Sequence, residues 1–107
     1  MAIILKGTPA SLGVATGKVK ILHNPSEIHK VNKGDILVTE MTDPLYMHAI
    51  RKAGGIITNI GGVLCHAAIV AREFKIPCIV GTINATTVLK DEQLVSMDAT
   101  KGEIQDG

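Results

Sequence analysis

The sequence has no tryptophan, one Phe and one Tyr, so aromatic residues make up 2% of its 107 positions. Its Lys and Arg residues are scattered, and the formal net charge is +1. Proteins that grip nucleic acid show a basic stripe, often with aromatics on which bases stack. Neither is present, so nucleic acid is not expected as a partner. Cysteine is nearly absent as well. Cys65 and Cys78 have twelve residues between them, which fits neither a CxxC metal knuckle nor a dense secreted disulfide framework. Two reduced thiols are expected. No apolar run approaches the roughly 20 residues that span a bilayer. The opening MAIILKGTP lacks the basic and long apolar regions of a signal peptide, so no membrane contact and a cytoplasmic location are expected. No Walker-type loop or glycine-rich kinase loop is found.

What remains is aliphatic. Hydrophobic residues are 46% of the chain and charged residues 20%, enough apolar surface for a core and too little charge for a disordered segment. The length suits one compact domain over residues 1–107. Strands are expected at Ala2–Leu5, Ala15–Leu22, Ile36–Thr39, Ile56–Thr58, Cys78–Val80, Leu94–Met97 and Glu103–Gln105. A single helical turn at Ser26–His29 would be capped by Ser26. Thr42-Asp43-Pro44 opens a helix whose apolar face is Leu45, Ala49, Ile50 and Ala53, with Gly54 as its stop. A second helix runs from Cys65 to about Lys75. This order predicts an α/β fold, a mixed sheet with helices.

The chemistry concentrates between Thr58 and Thr82: TNIGGVLCHAAIVAREFKIPCIVGT. His66 falls at the start of the second helix, after the Gly61-Gly62 turn. Helix N-termini expose unpaired N–H groups and carry partial positive charge, which makes them anion sites. The same field disfavours imidazolium and leaves the ring with a lone pair able to attack phosphorus. Residue chemistry alone leaves a plain capping or packing histidine as the commoner alternative.

The run GGVLCHAAIVAREFKIPCIVGT, with GDILVTEMTDP and GVATGKVKIL upstream and DEQLVSMDATKGEIQDG downstream, resembles the swivelling phosphohistidine domain of phosphoenolpyruvate-utilising enzymes. That family includes phosphoenolpyruvate synthase, pyruvate phosphate dikinase, enzyme I of the sugar phosphotransferase system and rifampicin phosphotransferase. The resemblance covers nearly the whole chain. It implies a swivelling β/β/α domain in which His66 is transiently phosphorylated. The chain would relay the group between an ATP site and a phosphoenolpyruvate or pyruvate site on partner domains. ATP and Mg²⁺ would be held by a partner kinase domain, and no cofactor by this chain. Alone, the chain would be a phosphotransferase component without turnover, as a split subunit or a piece of a longer protein.

The same resemblance assigns phosphoryl-site roles to Thr42, Gly62, Cys65, Ala67 and Arg72. Thr42 would orient the imidazole, although helix capping reads as its main task. Cys65, as helix cap, would donate weakly to phosphate. Arg72 is about 120° around the helix from His66 and reads first as an ion-pair or surface residue, as does Glu73. Leu64 stands where several relatives have Thr, a pattern closer to the antibiotic phosphotransferase branch. That substitution is the one support for an alternative: a regulatory or binding module that keeps the fold and transfers nothing. A purely structural swivelling domain, as in hydro-lyases, would leave His66 unexplained. His23, His29 and His48 lack ligand spacing and read as surface residues.

Overall fold

Three short runs, Ile36–Thr39, Gly55–Thr58 and Cys78–Val80, are apolar at nearly every position. That composition suits strands buried on both faces. The computed structural model describes residues 2–107. It contains eight strands: β1 (Ile3–Lys6), β2 (Thr8–Ser11), β3 (Val14–Leu22), β4 (Ile36–Thr39), β5 (Gly55–Thr58), β6 (Cys78–Val80), β7 (Leu94–Asp98) and β8 (Glu103–Asp106). Three helices accompany them: α1 (Met47–Lys52), α2 (His66–Phe74) and α3 (Ala85–Val88). The strands form one mixed sheet in the order β1-β8-β7-β3-β4-β5-β6-β2. The central four run parallel. The flanking pairs, β3 with β7, β7 with β8, β8 with β1 and β6 with β2, are antiparallel. Strands β1 and β2 are separated by Gly7 alone, yet they stand at opposite ends of this order. The sheet therefore curls until its two ends meet. This is the swivelling β/β/α architecture.

The period of two along each strand divides the core in two. Leu37, Ile56, Cys78 and Val80 face α1 and α2, and pack with Ala49, Ile50, Ala67, Ala68 and Ala71. Ile36, Val38, Ile57 and Ile79 face the inside of the curl, with Val19, Val95, Met97 and Ile104. α3 adds Ala85 to this second cluster, which Leu89 also joins. Small residues on α2 let the helix lie close against β5 and β6.

Several expectations change in detail. Strand β2 was not anticipated, because Gly7 and Pro9 read as a break. Proline is tolerated in strands at sheet edges, and β2 is an end strand. The turn near residue 26 is a six-residue 3-10 helix, Pro25–Lys30, and its cap is Asn24, whose side chain accepts from the Ser26 N–H at 3.0 Å. After Pro44 the chain makes a 3-10 turn to Tyr46 before α1 begins. Tyr46 takes the buried position there, and Leu45 is 67% exposed. Gly54 does not stop α1 by a left-handed turn; Ala53 ends the helix in extended conformation. A Cβ at Gly54 would lie 2.8 Å from the Gly34 carbonyl oxygen, so glycine is required there by close approach of two loops. α3 escaped notice because four residues carry no periodic signal.

Candidate functional site

Three loops leave the C-terminal ends of the parallel strands β4, β5 and β6, and the candidate site lies among them. Main-chain bonds tie the loops together. Asn59 and Ile60 donate to the Thr39 and Glu40 carbonyls, each at 3.1 Å, and Ile83 donates to Asn59 at 2.7 Å. Side chains brace the same turn. Thr58 Oγ1 donates to the Ile60 carbonyl at 2.7 Å, and Thr82 Oγ1 to the Thr58 carbonyl at 2.9 Å. The Asn59 side chain pairs with both the N–H and the hydroxyl of Thr86.

The glycine turn then delivers the chain into α2. Gly61 has φ +117°, and a Cβ there would stand 2.9 Å from Cys65 Sγ, so this position needs glycine. Gly62 has open space around it. Cys65 is the N-cap, in extended conformation, and its side chain makes no capping bond. Its own N–H closes the turn onto the Gly62 carbonyl at 3.0 Å. The first amide to donate into the helix is that of Ile69, to the Cys65 carbonyl at 3.0 Å. Among the described residues, the amides of His66, Ala67 and Ala68 find no acceptor.

His66 is half-buried at this helix start. Its Nδ1 lies 2.8 Å from Thr42 Oγ1. Thr42 is 3% exposed, so the hydroxyl meets the ring away from bulk water. Capping falls to the neighbouring residue: Asp43 accepts from the Leu45 N–H at 2.8 Å. The expectation that capping is the main task of Thr42 is thereby corrected. Asp43 immediately precedes Pro44 and has the extended backbone of an N-cap. With Nδ1 engaged, Nε2 is the ring nitrogen without a protein partner among the described residues. A small cavity of about 70 Å³ opens beside the ring, lined by Met41, Thr42, Thr58, Ile60, Gly61, Cys65, His66 and Ala67. Gly61, not Gly62, contributes to that lining.

Arg72 is exposed and forms no salt bridge among the described residues. Its Nη1 donates to the Ala10 carbonyl at 2.9 Å and its Nη2 to the Val63 carbonyl at 2.7 Å. The guanidinium therefore straps the loop before His66 to strand β2. Glu73 is exposed and forms no salt bridge among the described residues. Both cysteines are free. Burial pushes the Cys78 thiol up to about 12, with Cys65 adding to the rise and Arg72 opposing it. His23, His29 and His48 are exposed. No group of three or more His, Cys, Asp or Glu side chains among the described residues converges to hold a metal.

One feature of the site was not legible in the sequence. Met41, Leu45, Ile60, Val63, Leu64 and Ile83, all from the three loops, are exposed by 47% to 82%. An apolar residue in a loop looks in sequence like any core residue, so periodicity offers no warning of such a rim.

A family model described as PEP-utilising enzyme, mobile domain, matches residues 31–102. A probable phosphoenolpyruvate synthase of Methanothermobacter thermautotrophicus is 54% identical over 98% of this chain, which spans 15% of that protein. The phosphoenolpyruvate synthase of Pyrococcus furiosus is 49% identical over 98% of the chain, here 13% of its length. An uncharacterised phosphotransferase of Bacillus subtilis, YvkC, is 45% identical over 92% of the chain and 12% of its own length. The chain thus spans about one seventh of the curated relatives it matches. Among solved structures, an enzyme I protein (nEIt) matches with 26% identity and a TM-score of 0.63, over 75% of this chain and 33% of that one. An aconitase X of Thermococcus kodakaraensis matches with a TM-score of 0.68, over 96% and 97% of the two chains; at 20% identity the likeness is one of fold. No helix among the described residues is long and apolar enough to cross a membrane.

Proposed function

The chain belongs to the PEP-utilising enzyme family as its mobile domain, and from that premise we propose that it is a phosphoryl carrier whose acceptor atom is His66 Nε2. The observation that carries this reading is the bond from buried Thr42 to Nδ1 at a helix start whose first three amides are free. In the accepting form Nδ1–H donates to Thr42 Oγ1, and the Nε2 lone pair attacks phosphorus. The bond from phosphorus to the donor oxygen breaks, and that oxygen leaves with its electron pair. With phosphoenolpyruvate the leaving group is the enolate of pyruvate; with ATP it is ADP. The proton stays on Nδ1, hydrogen-bonded to Thr42 Oγ1, throughout, and return of the phosphoryl group reverses the same steps. The free amides of His66, Ala67 and Ala68 supply donors for the phosphoryl oxygens.

In this reading, Cys65 and Ala67 shape the seat, Gly61 and Gly62 carry the turn, and Arg72 holds that turn in place through Val63. Nucleotide with Mg²⁺, and pyruvate or phosphoenolpyruvate, are bound by partner domains in the cytoplasm. Leu64, the one support for a module that transfers nothing, is 82% exposed and lies outside the cavity lining. Its lack of a hydroxyl therefore takes nothing from the seat.

The test is acceptance of a phosphoryl group. The chain is mixed with the catalytic portion of the Methanothermobacter relative lacking its own mobile segment, in one arm with ATP and Mg²⁺ and in the other with phosphoenolpyruvate and Mg²⁺. Intact mass is read at alkaline pH. One acid-labile phosphoryl group on the wild type and none on His66→Ala is the expected result. No gain in either arm, from a catalytic portion that phosphorylates its own mobile segment in trans, would turn the reading toward the non-transferring module.

A further inference from the structure

We propose that the end of the domain remote from His66 is a docking face of its own, basic around an apolar centre, for an acidic segment of the longer protein outside this domain. The proposal rests on family membership and not on the carrier reading. Helix α2 begins at His66 and ends at Phe74, so its two ends lie about 12 Å apart. At the far end Arg51 Cζ stands 5.9 Å over the Phe74 ring. The Lys52 carbonyl accepts from the Gly34 N–H at 2.8 Å, which brings Lys33 to the same end. Lys75 follows Phe74 directly. Leu12 leads into Gly13, which lies against Pro77: a Cβ at Gly13 would stand 3.0 Å from Pro77 Cγ. Leu12 is 71% exposed and Phe74 41%.

Positive charge gathers at this end although it is scattered along the sequence. None of Lys33, Arg51, Lys52 and Lys75 forms a salt bridge among the described residues. The carboxylates closest in sequence are Glu73, which is exposed, and Asp35, which is buried and turned toward the Asn32 N–H and Lys20. Lys75 supplies an independent observation. Its φ is +59°, in a helix-end turn closed by the Ile76 N–H on the Ala71 carbonyl at 2.9 Å. Glycine is the usual residue at such a position, and a left-handed lysine is strained. The helix dipole already has Arg72 in the last turn. Strain kept at an exposed cation with no acidic partner in the chain points to a use outside it.

The occupant follows from charge and size. Uncompensated cations around Phe74 and Leu12 complement a segment that carries carboxylates beside an apolar residue. A stable interface takes roughly 20–30 residues from each partner, far more than this face offers, so a free protein would not be held by it. A segment on the same polypeptide, at an effective concentration on the order of millimolar, would be. The relatives are about seven times as long as this chain, and the segment lies in the part that this chain does not span. Seated here, it holds the domain while leaving the loops around His66 uncovered.

The experiment titrates the isotope-labelled chain with the catalytic portion described above, with no phosphoryl donor present, and follows amide line broadening residue by residue. At about 50 mM salt the signals of Leu12, Lys33, Arg51, Lys52 and Phe74 are expected to broaden, and at about 500 mM most of that broadening should be lost. Lys75→Gly, and separately the pair Arg51→Glu with Lys52→Glu, should each reduce the broadening at Phe74 by about threefold or more and leave that around His66 unchanged. Lys75→Gly should also melt at or above the wild-type temperature, because glycine takes this backbone without strain. No broadening at this end, or broadening that survives high salt and both sets of substitutions, overturns the proposal. A lower melting temperature for Lys75→Gly does so too, since it would give that lysine a role in the fold. Phosphatidylserine–phosphatidylcholine vesicles serve as the comparison: if they alone broaden the same signals, the face belongs to an anionic membrane and the acidic segment is refuted. Failure of the carrier reading is distinguishable, because nothing measured requires His66 to accept phosphorus.

Discussion

Replacing Thr42 by valine keeps the branched shape and removes the hydroxyl that meets His66 Nδ1. Because Thr42 is buried, water does not readily take the place of that hydroxyl. In the proposed accepting form the ring is neutral, and the lost hydrogen bond is worth about 0.5–1.5 kcal/mol. In the phosphorylated chain Nε2 bears phosphorus while Nδ1 keeps its proton, so the ring is formally cationic and the lost bond is worth about 1.5–3 kcal/mol. The difference, about 1–1.5 kcal/mol, disfavours the phosphorylated state by roughly tenfold at equilibrium. The assay is the fraction of chain phosphorylated at a series of fixed phosphoenolpyruvate-to-pyruvate ratios, read by intact mass at alkaline pH. Thr42→Ser restores the hydroxyl and should lie within about threefold of wild type. A Thr42→Val chain that melts cooperatively and reaches the wild-type equilibrium would show that the hydroxyl does not hold Nδ1, and the choice of Nε2 as acceptor would lose its basis.

The remaining predictions concern the turn and the core. Gly61→Ala forces a side chain onto φ +117° beside Cys65 and should cost about 1–3 kcal/mol, seen as a lower melting temperature; Gly62→Ala, in open space, should change stability by less than about 0.5 kcal/mol. Arg72→Ala frees the Val63 and Ala10 carbonyls and should speed amide hydrogen exchange across residues 61–65, while Arg72→Lys, which cannot span both acceptors, should recover only part of that protection. The Cys78 thiol is raised by burial from 9.0 to about 12. Between those values only the unfolded chain releases the proton, so this contribution is complete below about pH 9 and is lost as pH rises toward about 12. Denaturant titrations across that range should show a shallower decline in Cys78→Ala than in wild type; equal slopes would refute the assignment.

The strands that build the site were legible because burial on both faces leaves an unmistakable composition. ILVT, GIIT and CIV are apolar nearly throughout. Strand β2 was not, since Pro9 argues against a strand until its place at the sheet edge is known. Thr42 and Asp43 both have capping side chains, and nothing local decides between them. The choice is made by His66, 24 residues further along. Helical geometry puts Arg72 off the His66 face but offers no means to find its partners, which are main-chain carbonyls in a loop and in β2. The glycine pair announced a turn, while the positive φ at Gly61 became visible only in three dimensions. The candidate site was therefore readable in outline. The contacts that hold it depend on residues far apart in sequence.

In the carrier reading, what surrounds His66 holds a phosphoryl group but is not by itself enough to move one. A helix N-terminus contributes about 0.3–1 kcal/mol when exposed and up to ~2 when partly buried. The Thr42 bond to the phosphorylated ring adds about 1.5–3 kcal/mol. Enzymes lower their barriers by about 8–23 kcal/mol relative to the uncatalysed reaction, so even a generous sum leaves several kcal/mol to be supplied from elsewhere. No metal-holding cluster is found among the described residues, and the one arginine near the helix start is committed to two carbonyls. A carrier needs this division. Strong positive charge around Nε2 would stabilise the phosphorylated state and slow release to the next acceptor. With modest local stabilisation, the groups that activate transfer can reside on the donor and acceptor sites, as the carrier reading requires.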